Sequence, residues 1–193
     1  MALRDAGPAF IAYFYFDFKD TDKQNRRNLL LSLLSQLSAC SDLCCDMLYR
    51  VYVSHNNGEH KPTDDILIQN MNEALTFFND IPIYIVMDAL DECPNTFGLP
   101  SPRESVLDLV KELVELSLPN LHICVTSRPE IDIRIVLEPL TSGQVSLHDQ
   151  TGQKKDIITY VSSVVRSDAR MGKWREDDQN LVIETLSDRA DGM

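Results

Sequence analysis

The sequence predicts an α/β fold: a parallel sheet with flanking helices over residues 1–150, followed by a helical segment over 151–193. Three observations lead there. Two short apolar runs, "IYIVMD" (83–88) and "LHICV" (121–125), are rich in β-branched residues and both break off into polar ones, as buried strands do. One amphipathic, helix-length segment separates them, and a strand, helix and strand within about 45 residues close as a right-handed parallel βαβ unit. Beyond Gly152 the periodicity is helical, with no further strand pattern.

The elements follow in order. "AFIAYFYFDF" (9–18) reads as an aromatic-rich buried strand. In "TDKQNRRNLLLSLLSQLSAC", Thr21 followed three positions later by Gln24 fits a capping box, and Leu30, Leu33, Leu34 and Leu37 form one apolar helical stripe. A second helix is expected through "SDLCCDMLYRVYV", stopping at the loop "SHNNGEHKP". "TDDILIQNMNEALTFFND" restarts as a helix, with acids in its first turn and Leu67, Met71, Ala74, Leu75 and Phe78 on one face. After the strand at 82–88 and the loop "CPNTFGLPSPRE", Ser101, Pro102 and Glu104 give an N-cap, a first-position proline and a capping-box acid for a helix over 102–117. A short helix at 130–137 and a strand near "GQVSLHD" complete the α/β part.

Composition excludes several classes of function. Hydrophobic residues make up 44% and charged residues 25%, the range of an ordinary globular protein. The net charge of −12 argues against a nucleic-acid partner, since such proteins concentrate Lys and Arg. No apolar run approaches the roughly 20 residues of a membrane-spanning helix. The start "MALRDAGPAFIAYFYF" lacks the pattern of a signal peptide, so a cytoplasmic location is expected. The five cysteines form no paired C-x-x-C set; those in "ACSDLCCD" read as buried thiols on a helix rather than metal ligands.

The chemistry collects where the two central strands end. Asp88 closes one, with Asp91 and Glu92 in the loop behind it; Thr126, Ser127 and Arg128 close the other. In open parallel sheets, ligands bind at the carboxyl ends of the strands. If the two strands are neighbours, three acids face two hydroxyls and an arginine across one crevice, a grouping suited to Mg²⁺ and a triphosphate. Asp88 would hold the Mg²⁺ shell, Asp91 or Glu92 would orient or deprotonate water, and Arg128 would stabilise phosphate charge. Arg128 has a plainer alternative, an ion pair with Glu130 or an acid of the loop.

At these residues the chain resembles a known family. "IYIVMDALDEC" resembles the Walker B segment of NACHT-type STAND NTPases, and "LHICVTSRPE" their sensor 1 strand, with Arg128 as the sensor arginine. "AYFYFDFKDTDKQNRRNLLLSLLSQL" is similar to the segment after the P-loop in fungal proteins with a nephrocystin-like N-terminal NACHT module. The resemblance implies an ASCE-type P-loop NTPase fold and an ATP- or GTP-operated signalling switch, as in NLR-like proteins. Asp88 would then be the metal residue, Asp91 and Glu92 the catalytic acids, and Thr126, Ser127 and Arg128 the nucleotide-side residues. Such modules usually precede repeats, through which protein or homotypic contacts would run.

A phosphate cradle of that class needs G-x-x-x-x-G-K-[ST]. Only Gly172 precedes a lysine, in "RMGKWRE", where Trp174 stands in the hydroxyl position. The resemblance therefore implies a chain truncated before its P-loop and before the strand that carries it. In the family that strand lies between the sensor 1 strand and the last strand of the sheet. The expected function is a switch fragment that retains Walker B and sensor 1 and is not hydrolytic alone. The alternative is a non-catalytic interaction or scaffold module.

Overall fold

The computed structural model describes residues 9–189 apart from 79–80, 97 and 147–150. The chain divides into two compact units, Met1–Thr141 and Ser142–Met193. The first unit contains β1 (Phe10–Tyr15), α1 (Arg26–Cys40), α2 (Asp42–Ser54), α3 (Asp64–Thr76), β2 (Ile83–Asp88), α4 (Pro102–Glu115), β3 (Leu121–Val125) and α5 (Ile131–Leu137). The second contains α6 (Thr151–Ser167) and α7 (Glu176–Arg189).

The three strands form one parallel sheet in the order β1-β2-β3, with Ile83 level with Phe10 on one side and Leu121 on the other. Successive strands step across the sheet in one direction, and crossovers of one hand then place their helices on one face. That face carries Ala12, Phe14, Ile83, Ile85 and Met87, all buried in a core with Leu29, Leu33 and Leu37 of α1, Met71 and Leu75 of α3, and Val106, Leu109 and Leu113 of α4. Because strand side chains alternate, the intervening residues face the other way. Ile11, Tyr13, Tyr15 and Tyr84 are between 42% and 64% exposed, and Tyr84 stacks on His122 with ring centroids 4.9 Å apart.

The outer edge of β1 is blocked at one point by a side chain. Gln36 of α1 accepts from the Tyr13 N–H at 3.0 Å and donates to the Tyr13 carbonyl at 2.8 Å, taking the place of a neighbouring strand.

Helix starts follow the cap chemistry, with one correction. Ser101 and Glu104 form the expected capping box, with Pro102 in the first turn. Thr63 caps α3 and Ser41 caps α2. Thr21 and Gln24 do not start α1. Thr21–Lys23 is a single 3-10 turn capped by Asp20, and α1 begins after Asn25, whose side chain accepts the Asn28 N–H at 2.9 Å. The stretch before it folds on itself: the Asp17 N–H donates to the Lys23 carbonyl, and the Gln24 side chain donates to the Asp17 carbonyl. Asn is among the strongest N-caps, and it stands next to the leucine stripe that α1 buries.

Two further expectations change. Of the thiols expected to be buried on a helix, Cys44 is buried, while Cys40 and Cys45 are exposed. Residues 143–146 are irregular rather than a strand, and the remainder of "GQVSLHD" lies outside the described residues.

In the second unit α6 and α7 pack on each other, with Val165 and Ile183 buried. The turn between them is organised by Asp168, which accepts the Arg170 and Met171 N–H groups at 2.8 and 2.9 Å. These hydrogen bonds, that of Met171 foremost, hold its carboxyl below the ordinary value. Among the described residues, no helix is long and apolar enough to cross a membrane.

Candidate functional site

β2 and β3 are neighbours, so their carboxyl ends lie side by side. Thr126, the first residue past β3, is the hub that joins the two strand ends. Its N–H donates to the Met87 carbonyl and its own carbonyl accepts the Leu90 N–H. Its hydroxyl donates to Asp88 Oδ1 at 2.5 Å and accepts the Ala89 N–H at 3.0 Å. The loop behind Asp88 is turned by Ala89, which adopts the left-handed conformation at φ 56° and leads into the single turn Leu90–Glu92. Leu90 and Cys93 are fully buried and anchor that turn from below.

Each acid has its own partner. Asp91, with a side chain only 10% exposed, accepts the Arg128 N–H at 3.0 Å and pairs with its guanidinium at 3.4 Å. Arg128 therefore pairs with an acid of the loop, although its side chain is 77% exposed. Glu92 Oε2 accepts the Phe18 N–H at 3.2 Å, reaching the segment that follows β1. Ser127 is exposed. The structure thus joins Asp88 with Thr126 and Asp91 with Arg128, and turns Glu92 toward Phe18.

The three carboxylates do not converge: among the described residues there is no group of three His, Cys, Asp or Glu side chains placed to hold a metal ion. What remains at the strand ends is one carboxylate beside one hydroxyl. That donor set suits Mg²⁺, which is usually held by one or two carboxylates and keeps several waters or phosphate oxygens.

Arg103 in the first turn of α4 is a supporting residue that the sequence reading missed. It donates to the Asp91 carbonyl at 2.6 Å and the Cys93 carbonyl at 2.8 Å, and pairs with Asp132 at 3.1 Å. Ten or more positions separate it from each partner, so no local pattern in the sequence marks the role. Cys93 adds a second tie, its thiol 3.2 Å from the Gln24 carbonyl. Burial pushes that thiol up to about 12, against a smaller lowering by Arg103.

An open cleft of about 620 Å³ lies apart from these residues, among Arg26, Arg27, Asp64 and Pro102. Its guanidinium groups are engaged, Arg26 with Glu112 at 2.7 Å and Arg27 with Asp64 at 2.5 Å, so it reads as a junction clamped by ion pairs.

The profile of one family, nephrocystin 3, N-terminal, matches residues 2–128, a span that includes every candidate site residue. No curated protein and no solved structure matches the chain.

Proposed function

The chain belongs to the nephrocystin 3 N-terminal family, and from that premise we propose that it is the metal-and-water half of a NACHT-type, nucleoside-triphosphate-operated switch. The observation that carries this reading is the Thr126 to Asp88 hydrogen bond, which ties together the carboxyl ends of two adjacent parallel strands. In sheets of this kind that is where ligands sit. Asp88 is the residue that would hold Mg²⁺, and Arg128 is the exposed cation that a phosphate would meet. Mg²⁺ would supply charge neutralisation at the phosphates; the chain itself orients Asp88 through Thr126 and keeps Asp91 next to Arg128.

The 193 residues contain no G-x-x-x-x-G-K-[ST] cradle. Each charge-assisted phosphate contact of such a cradle contributes about 1.5–3 kcal/mol, so this chain alone binds nucleotide weakly and does not hydrolyse it. The far edge of β3 supports the same reading: β3 pairs only with β2 among the described residues, and that side is where the cradle's strand lies in NACHT modules.

The test is Mn²⁺ with ATP or GTP, followed by amide NMR on the purified chain. Selective broadening at Asp88–Asp91 and Thr126–Arg128, lost in Asp88→Ala, is the expected result, with phosphate release at background. Uniform or absent broadening refutes the nucleotide reading, and measurable turnover refutes the non-hydrolytic one.

A second reading, a non-catalytic interaction module, is favoured by the exposed sheet face of Ile11, Tyr13, Tyr15 and Tyr84. Parallel sheets ordinarily have both faces covered. Absence of metal broadening, together with protection of this face in a complex, would favour it.

A further inference from the structure

The two edges of the sheet are finished differently. On β1 the Gln36 amide occupies the Tyr13 N–H and carbonyl. On β3 nothing comparable is present among the described residues. The Ile83 N–H donates to the Asn120 carbonyl and the Thr126 N–H to the Met87 carbonyl. With Leu121 level with Ile83, the even-numbered residues of this strand therefore bond to β2, and the N–H and carbonyl groups of Ile123 and Val125 point out of the sheet. The Leu121 N–H points the same way but is already taken by the Leu118 carbonyl at 3.1 Å.

β3 also lacks the devices that keep such an edge apart from other chains. "LHICV" holds no lysine, acid or proline, and its ladder with β2 runs without a bulge. The core is open on this side as well: Leu121, Ile123 and Val125 are only partly buried, whereas Ile83, Ile85 and Met87 beside them on β2 are fully buried. An edge strand laid antiparallel to its own copy meets a self-complementary surface, and a twofold axis closes both edges at once. We infer that β3 pairs with the β3 of a second copy of this chain, antiparallel across a twofold axis at Cys124, joining two three-stranded sheets into one continuous sheet.

The free groups set the register. Centred on Cys124, Ile123 lies opposite the partner's Val125, and the outward N–H and carbonyl groups of both are used. Centred on Ile123, the pairing would need the Leu121 N–H, which is already bonded; centred on Val125, it would draw in Ser127 from outside the strand. Arg128, the first charged residue past β3, falls level with the partner's Asn120, so like charges are not brought opposite one another. The two Cys124 side chains, on the exposed sheet face, then form a non-hydrogen-bonded pair with Cα atoms about 4.5 Å apart, within the roughly 4.4–6.8 Å that a disulfide spans. The inference goes beyond the switch reading and does not rest on it, needing neither metal nor nucleotide. A cradle strand would occupy the same edge, and the 193 residues contain no cradle.

Light scattering on the purified 193-residue chain, from low to high micromolar concentration, reads the mass. A rise from 21.9 kDa toward twice that value is expected. Cys124→Arg sets two guanidinium groups opposite each other on an exposed face; it should leave the circular dichroism unchanged and weaken the dimer about fivefold or more. Ile123→Pro removes an outward donor, leaves the bonds to β2 in place and should abolish the dimer. With diamide as the two-electron oxidant, the copies should become linked through Cys124. The link should survive Cys40→Ser combined with Cys45→Ser and disappear in Cys124→Ser, which still dimerises. A mass of 21.9 kDa at every concentration overturns the inference. A dimer that forms equally well in Cys124→Arg, or that diamide does not link through Cys124, overturns the β3 edge as its interface.

Discussion

Ala89 and Cys93 show how much of the candidate site depends on single residues. Ala89 sits at φ 56° and ψ 46°, where the β-carbon crowds the backbone, a conformation that costs a non-glycine residue about 1–2 kcal/mol. Thr126 holds it there by accepting the Ala89 N–H while its carbonyl takes the N–H of Leu90. Relieving the strain at Ala89→Gly should shift unfolding free energy by up to about 1 kcal/mol in the stabilising direction, part of the relief being offset by the added freedom of the unfolded chain. Ala89→Val should destabilise by about 1–3 kcal/mol. Urea titration of the two variants checks both signs. Cys93, buried and with its thiol pushed up to about 12 from an ordinary 9.0, binds its proton more tightly folded than unfolded. Its contribution is fully present below about pH 9 and is lost as pH rises through about 12. In the native state a thiol reagent at pH 8 should modify the exposed Cys40, Cys45 and Cys124 quickly, and the buried Cys44 and Cys93 only on unfolding. Rapid modification of all of them would contradict the packing at the acid loop.

At the scale of elements, caps decide where helices begin. Ser101 is 4% exposed; its side chain accepts the Glu104 N–H, donates to Asn95, and its own N–H is taken by the Glu104 carboxylate. Ser101→Ala should cost about 1–2 kcal/mol, since the cap is lost in a place water reaches poorly. A denaturant midpoint that did not move would show that α4 is held by packing alone. The start of α1 teaches the converse. Thr21 and Gln24 have capping-box spacing, yet Asp20 and Asn25 take the cap positions because the segment 17–24 closes on itself through Asp17. The capping signal was legible at Ser101, which stands before a first-position proline and three residues ahead of Glu104. Such signals misled where four cap-competent residues, Asp20, Thr21, Asp22 and Asn25, stood within a few positions, because long-range hydrogen bonds then choose among them.

On the scale of the whole molecule, the first unit buries one face of a three-stranded sheet under α1, α3 and α4 and leaves aromatic residues on the other. The second unit is a pair of helices joined by a turn that Asp168 organises. The sequence by itself determined the strands and helices between Phe10 and Leu137, the parallel βαβ unit, and the clustering of polar residues at the ends of β2 and β3. Each of these is written in local periodicity, which depends on burying apolar side chains at intervals of two or three to four residues. Only the tertiary structure decided the partners. Sequence spacing grouped Asp88, Asp91 and Glu92 as one set, whereas the fold gives Asp88 to Thr126, Asp91 to Arg128 and Glu92 to Phe18, and brings in Arg103 from α4. The physical reason is directional. A hydrogen bond is made only where donor and acceptor meet in space, and around the left-handed turn at Ala89 the chain gives Asp88 and Asp91 partners beyond β3 and Glu92 a partner beyond β1, a geometry that no count of residues along the chain contains.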